Sequence, residues 1–142
     1  MNASMNVASS APQTIYLKDY RVPDYLIDTT DLIIDIYDGY TLVTSMLGMR
    51  RNPAATEPAT SLRLHGVDLE LLSINLNGVD LADDAYRVDA ESLTILDTPE
   101  NMNLVIVTKI KPEENTALEG LYRSRTMYCT QCEAEGFRKI TY

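Results

Sequence analysis

The sequence predicts an all-β fold, and within that class an antiparallel β-sandwich. Short segments in which apolar and polar residues alternate recur along the chain, and Asp38-Gly39 and Asn77-Gly78 separate such segments. Alternation with a period of two is typical of strands, while Asp-Gly and Asn-Gly favour two-residue hairpin turns. No amphipathic stripe with helical spacing extends over about ten residues, and strands do not alternate with helices, so a parallel sheet is not expected.

The first third of the chain predicts a long β-hairpin. Residues 1–13 are polar, small and without periodicity, so we expect a disordered N-terminal segment ahead of a β-sandwich domain at 14–142. A strand is expected from Tyr25, with one face made wholly apolar by Leu32, Ile34 and Ile36. Asp38-Gly39 connects it to a second strand over Tyr40–Arg51, and the Ala-, Thr- and Pro-rich residues 52–60 predict a loop.

The rest of the chain predicts a series of shorter strands. They are expected at residues 61–64, 69–76, 79–81, 86–88, 93–96 and 103–110. Residues 129–135 are also expected to be extended. Residues 137–142 alternate in the same way and stop in mid-strand, so we expect the domain to be incomplete at its C-terminal end.

Composition excludes several classes of protein. With 45% hydrophobic and 23% charged residues, the chain reads as a soluble globular domain. Its net charge of -9 repels phosphates and anionic lipid, so nucleic acid is not expected as a partner. No run is long and apolar enough for a membrane span and no signal peptide is recognisable, so a cytoplasmic location is expected.

A polar row is expected near the C-terminal end. If residues 129–135 are extended, then Gln131, Glu133 and Glu135 share one side of the strand with Cys129. An amide and two carboxylates in a row could hold a small cation, and a substrate ammonium is the obvious guest. Adjacent acids on one strand suit cation binding better than acid–base catalysis, because paired glycosidase-type carboxylates face each other across a cleft.

The sequence supplies no catalytic residue and no metal site of its own. Cys129 and Cys132 have C-x-x-C spacing, but zinc needs four ligands and the chain has no second cysteine pair. We expect both cysteines to be packing residues. His65 is the only histidine, and ahead of Gly66 it is expected to be a turn or surface residue.

Several motifs resemble the N-terminal domain of bacterial aminopeptidase N, a zinc-dependent alanyl aminopeptidase of the gluzincin class. The longest is the run C-T-Q-C-E-A-E-G-F-R-K-I-T-Y at residues 129–142. Y-R-V-P-D-Y-L-I-D-T at 20–29 is similar to the opening of that family, and N-T-A-L-E-G-L-Y at 115–122 also agrees. The likeness extends from Lys18 to the end, in the order of the family.

The resemblance implies a saddle-like β-sandwich packed against a thermolysin-like catalytic domain, which would supply zinc, general base and oxyanion stabiliser. By motif, Glu133 would bind the free α-ammonium of a peptide substrate and Gln131 would line the pocket for its first side chain. No role is carried over to Glu135, which could brace its segment through Arg138. This chain alone would bind no zinc, and its partners would be the peptide N-terminus and the catalytic domain.

One departure and two alternatives remain. Arg125-Thr126 stands where the family often has Gly or another small residue, so this loop and the nearby substrate preference are open. The first alternative is an autonomous β-sandwich interaction module that binds a partner through an exposed edge near Tyr142. The second is a small thiol or metal protein that uses Cys129 and Cys132.

Overall fold

The computed structural model describes residues 14–57 and 60–142, which contain ten strands. They are β1 (Tyr25–Tyr37), β2 (Tyr40–Arg51), β3 (Leu62–His65), β4 (Glu70–Leu76), β5 (Val79–Asp80), β6 (Tyr86–Val88), β7 (Ser92–Ile95), β8 (Asn101–Ile110), β9 (Gly120–Ser124) and β10 (Met127–Gln131). Short 3₁₀ helices lie at Leu17–Asp19 and Gly136–Lys139, and no helix in this part of the chain could cross a membrane. The expected disordered segment 1–13 lies outside the described residues.

Three antiparallel sheets confirm the predicted fold class. The largest has the strand order β1-β2-β8-β4-β5, a second has the order β3-β7-β6, and β9 pairs with β10. Both predicted hairpin turns are present, between β1 and β2 and between β4 and β5, with positive φ angles of 84° at Gly39 and 86° at Gly78. Because glycine reaches such angles without a steric penalty, these residues specify the two turns.

The central strands β2 and β8 form the inner face of the large sheet. Burial alternates along both strands, and in β2 it follows every second residue from Thr41 to Met49. Val43 lies opposite Thr108 in the antiparallel register, and both side chains are fully buried. Since residues directly opposite each other share a face, one side of the sheet is a continuous packing surface.

Two clusters of buried side chains cover that inner face. In the first, Leu93 and Ile95 of β7 pack on Leu104 and Ile106 of β8, which joins the three-stranded sheet to the large sheet. The second cluster consists of Val43, Ile110, Leu121 and Ile140. Burying a leucine or isoleucine side chain contributes about 1.5–3 kcal/mol, so the second cluster holds the β9–β10 hairpin firmly on the large sheet.

The structure corrects the prediction for residues 132–142. The extended segment ends at Gln131, residues 133–135 form a turn, and Gly136–Lys139 is a 3₁₀ helix rather than the start of an alternating strand. Ile140, Thr141 and Tyr142 are all buried, and Tyr142, 8% exposed, belongs to the first cluster. The alternating strand at 137–142, whose exposed edge the interaction-module alternative relied on, is therefore not formed.

Candidate functional site

The site-bearing residues lie at the end of the β9–β10 hairpin. In this hairpin Gly120 is the partner of Gln131, the last residue of β10. Leu121 anchors β9 in the second cluster, and Tyr128 and Cys132 pack against the same cluster. The hairpin is therefore held on one side by the core while its outer surface, at Thr130 and Gln131, is left exposed.

A hydrogen bond between side chains fixes β10 to the loop that connects β8 and β9. The hydroxyl of Tyr128 donates a hydrogen bond to the carboxylate of Glu113, and the guanidinium of Arg123 lies 5.6 Å from the centre of the Tyr128 ring. This hydrogen bond is the main reason why the pKa of the Glu113 carboxyl is lowered and the pKa of the Tyr128 phenol is raised. An ionised carboxylate therefore holds β10 in place at neutral pH.

The turn that follows β10 depends on a close backbone approach at Gly136. The Gly136 amide donates to the carbonyl of Cys132 at 3.0 Å, and the Glu133–Ala134 peptide bond is cis. A Cβ atom at Gly136 would lie 2.3 Å from the carbonyl oxygen of Gln131 and 3.2 Å from the amide nitrogen of Gly120. The end of β10 and the turn can meet in this way only when residue 136 has no side chain.

Gln131 and Glu133 are both exposed and linked to each other. The Nε2 atom of Gln131 lies 3.5 Å from the backbone carbonyl oxygen of Glu133, a long hydrogen bond across the turn. This hydrogen bond is to the backbone of Glu133, and no residue in 14–57 or 60–142 forms an ion pair or hydrogen bond with its carboxylate. Within the described chain, this carboxylate is free to bind a cation.

Glu135 differs from Glu133 although only one residue separates them. Its Oε2 atom lies 2.8 Å from Nη2 of Arg138, as the suggested bracing role requires. This pair spans the start of the 3₁₀ helix, whose Arg138 carbonyl in turn accepts a hydrogen bond from the Val67 amide at 2.9 Å. The Glu135 carboxylate is thus already partnered within the turn.

The predicted row of three polar side chains on one strand is wrong, because the strand ends before Glu133. Two members, Gln131 and Glu133, remain together at the surface. The sequence analysis missed the anchor between Glu113 and Tyr128 and the role of Gly136. The glycine that ends Glu133-Ala134-Glu135-Gly136 offered a signal for a tight turn, whereas the anchor joins residues whose proximity depends on the tertiary fold.

The histidine and the two cysteines, which the sequence offered for catalysis or metal binding, form no common site in the described chain. His65 is exposed at the end of β3, as expected for a surface residue. Cys132 packs against the second cluster, as predicted, and Cys129 is half-buried. Nowhere in the described ranges do three or more His, Cys, Asp or Glu side chains gather in a way that could hold a metal ion. The described residues therefore do not fit a zinc site.

The loop between β9 and β10 has the unusual residues already noted in the sequence. Arg125 adopts a positive φ of 57°, and Thr126 does not share this conformation. In two-residue hairpin loops a positive φ at the first position favours Gly, because the left-handed region costs other residues about 1–2 kcal/mol. Arginine at this position therefore introduces strain that a glycine would remove.

We expect Arg125→Gly to raise the free energy of unfolding by about 0.5–1 kcal/mol, the relief of strain being partly offset by the greater freedom of glycine in the unfolded chain. Thr126→Gly is the matched control and should lower the free energy of unfolding by about 0.5–1 kcal/mol, because it adds only that freedom. Urea denaturation of both variants measures the difference. Equal effects of the two substitutions would contradict the strain at Arg125.

The sequence is similar to known proteins over nearly its whole length. It is 45% identical over 134 residues to aminopeptidase N of Caulobacter vibrioides, a match that covers 94% of this chain and 15% of the relative. It is 46% identical over 131 residues to aminopeptidase N of Escherichia coli K12, covering 92% of this chain and 14% of the relative. The chain thus spans about one-seventh of the length of these curated relatives. No protein-family model matches it.

Solved structures share the fold. The chain superposes with a TM-score of 0.79 on aminopeptidase A of Legionella pneumophila in complex with aspartic acid, at 29% identity, covering 89% of this chain and 15% of that one. A second match is a zinc metallopeptidase of the M1 class from Deinococcus radiodurans, bound to a Tyr-Ser-Ala substrate. Its TM-score is 0.62 at 16% identity, it covers 81% of this chain and 28% of that one, and at this identity it supports the fold alone.

Proposed function

Because the chain is homologous to the N-terminal region of bacterial aminopeptidase N, we propose that it is the non-catalytic N-terminal β-sandwich of a zinc aminopeptidase and recognises the amino end of the peptide. Glu133 binds the α-ammonium of the substrate, and Gln131 lines the pocket for the first side chain. The catalytic machinery comes from the rest of the enzyme, which acts in the cytoplasm.

The state of the Glu133 carboxylate is the observation that carries this proposal. Glu133 and Glu135 lie in the same turn, yet Glu135 is paired with Arg138 at 2.8 Å whereas Glu133 has no cationic partner in the described chain. An exposed, unpaired carboxylate on a turn that is held by the core is preorganised for a cation supplied by a ligand. The amide of Gln131, next to it, provides both a donor and an acceptor.

The physical basis of selectivity is the difference between a free amine and a peptide amide. An ammonium that leaves water beside a carboxylate gains a charge-assisted hydrogen bond, about twice as strong as a neutral one. A mid-chain amide would instead cover the carboxylate without neutralising it, which costs several kcal/mol. Glu133 therefore favours peptides whose free amino terminus lies at the site and disfavours peptides that would place an internal amide there.

Within this proposal the chain binds and orients the substrate and performs no bond cleavage. Among the described residues no three His, Cys, Asp or Glu side chains come together as a metal site, and the polar pair consists of one amide and one carboxylate. Zinc, when it is bound by the rest of the enzyme, supplies the hydrolytic chemistry. The contribution of this chain is to fix the position of the amino end, and thereby which peptide bond reaches the catalytic groups.

We expect the 142-residue chain alone to hydrolyse no alanyl anilide and to hold no stoichiometric zinc. The test is a chromogenic assay of the purified chain, together with metal analysis after the chain has been incubated with zinc and the unbound zinc removed by dialysis. The full-length enzyme, assayed in parallel, is the control. Turnover by the isolated chain, or one zinc ion per chain, would mean that the site is not shared with another domain.

A further inference from the structure

Two buried hydroxyl residues lie where the two apolar clusters meet on the large sheet. Along β2, Ser45 separates Val43 of the second cluster from Leu47 of the first. Along β8, the buried residues on either side of Thr108 belong to the first and to the second cluster in the same way. Both central strands therefore place a hydroxyl at the same boundary between the clusters.

The segment that covers the sheet contributes a third hydroxyl. Ile140 belongs to the second cluster and Tyr142 to the first, so the segment crosses the boundary at Thr141. All three residues are buried, since Ser45 is 1%, Thr108 0% and Thr141 2% exposed. Ser45, Thr108 and Thr141 together form a polar seam between two apolar clusters.

The hydroxyls of the polar seam lack partners. None of the three forms a hydrogen bond with any atom of the described residues. Strand β2 pairs with β1 and β8, and β8 pairs with β2 and β4, so the backbone groups beside the two sheet hydroxyls are engaged in strand pairing. A buried hydroxyl that stays unpaired lowers the folding equilibrium constant about fivefold or more, because it loses its bonds to water without replacement.

The strand register places the two sheet hydroxyls at bridging distance. Thr108 lies opposite Val43, so Ser45, two residues further along β2, is its diagonal neighbour on the same face. Diagonal neighbours lie about 7 Å apart at Cβ or less, and their hydroxyls can point towards each other. Two hydrogen bonds through one small molecule span up to about 5.6 Å. The two hydroxyls do not bond each other, but they lie near enough to share a ligand of that size.

Water is the ligand that this chemistry fits. A hydroxyl both donates and accepts a hydrogen bond, and so does water. Buried water molecules typically form about three hydrogen bonds with polar groups that otherwise lack partners, and the polar seam offers three hydroxyls. A bare cation would lose its hydration beside Val43 and Leu47, with only neutral oxygens to replace it.

We propose that a buried water molecule lies in the polar seam and bridges the hydroxyls of Ser45 and Thr108 to that of Thr141. The water joins the two apolar clusters and fastens residues 140–142 to the large sheet. These residues directly follow the 3₁₀ helix at Gly136–Lys139, so the water also helps to hold that helix on the core. The inference does not depend on the role proposed for Gln131 and Glu133.

A high-resolution crystal structure tests the proposal on the unaltered protein. We expect electron density for an ordered water whose oxygen lies within about 3.0 Å of Oγ of Ser45 and of Oγ1 of Thr108 and Thr141. Density that shows no water at this position, or hydroxyls that bond one another directly, would overturn the proposal.

Thr108→Val removes one hydroxyl and keeps the shape of the side chain. It leaves the water with fewer partners, so we expect the equilibrium constant for unfolding, measured in urea, to rise about fivefold or more. Thr44→Val, on the outer face of β2, is the matched control and should change this constant by less than about threefold. An unchanged or smaller constant in Thr108→Val would contradict the proposal, because losing an unpaired hydroxyl from a dry core is stabilising.

The double variant Ser45→Ala, Thr108→Val shows whether the two sheet hydroxyls share one partner. If both bind the same water, the first substitution already removes part of what the second would remove. The double variant should therefore raise the unfolding constant by less than the product of the two single effects. A rise equal to that product would mean that the two hydroxyls act separately, and a shared water would then be ruled out.

Discussion

Glu133→Gln is expected to lower kcat/KM for substrates with a free amino terminus about 100-fold in the full-length enzyme. Glutamine keeps the size of the side chain and removes its charge, so the substrate ammonium exchanges a charge-assisted hydrogen bond for a neutral one in a site shielded from water. A 100-fold loss corresponds to about 2.7 kcal/mol, within the range of about 2–5 kcal/mol for the loss of one partner of a desolvated, hydrogen-bonded ion pair. Steady-state kinetics with an alanyl anilide measures it.

The neighbouring acid provides the control for Glu133→Gln. Glu135 lies in the same turn and is engaged by Arg138 on the protein surface, so Glu135→Gln should change kcat/KM by no more than about threefold. If the ammonium contact contributes to orientation as well as to binding, then kcat will fall together with a rise in KM. Identical kinetics of Glu133→Gln and the wild-type enzyme would remove Glu133 from the site.

The fold was predictable from the sequence where local turn chemistry and burial pattern agree. The hairpin of β1 and β2 is such a case: the sequence predicts Tyr40–Arg51 with the correct bounds because Asp38-Gly39 marks the turn before it and Asn52-Pro53 ends it, and burial in the structure alternates along nearly the whole strand. The expected apolar face of β1 exists, but its exposure was not predictable. Whether a strand is central or at an edge depends on which strands pair with it, and the alternation pattern is the same in both cases.

Prediction failed in residues 132–142 for a physical reason. Alternation there is a coincidence of composition, since Ile140, Thr141 and Tyr142 are buried in succession. The conformation is decided by a contact between distant parts of the backbone, in which Gly136 approaches the carbonyl of Gln131. Gln131 and Glu133 themselves were identified through a family resemblance, and the residues alone indicated only a cation-binding row. The distinction between Glu133 and Glu135 required the ion pair with Arg138.

Gly136→Ala is expected to destabilise the domain by about 3 kcal/mol, because the new methyl group would overlap the Gln131 carbonyl at 2.3 Å and the neighbouring backbone has little room to move. Gly78→Ala is the matched control. At Gly78 no atom lies within 4 Å of the added Cβ, but φ is +86°, so only backbone strain of about 1 kcal/mol is expected. Chemical denaturation measures the free energy of unfolding of both variants. A larger loss in Gly136→Ala than in Gly78→Ala indicates that residue 136 needs glycine for lack of space and not only for its backbone conformation.

The same pair of variants tests whether this turn positions the Glu133 carboxylate. At a temperature where both variants are folded, Gly136→Ala must move the end of β10 away from the turn, which displaces Glu133 relative to Gln131 and lowers kcat/KM of the full-length enzyme at least about tenfold. Gly78→Ala changes a hairpin that contributes no residue to the proposed site and should leave kcat/KM unchanged. Loss of stability without loss of kcat/KM in Gly136→Ala would mean that the position of Glu133 is set by some other contact.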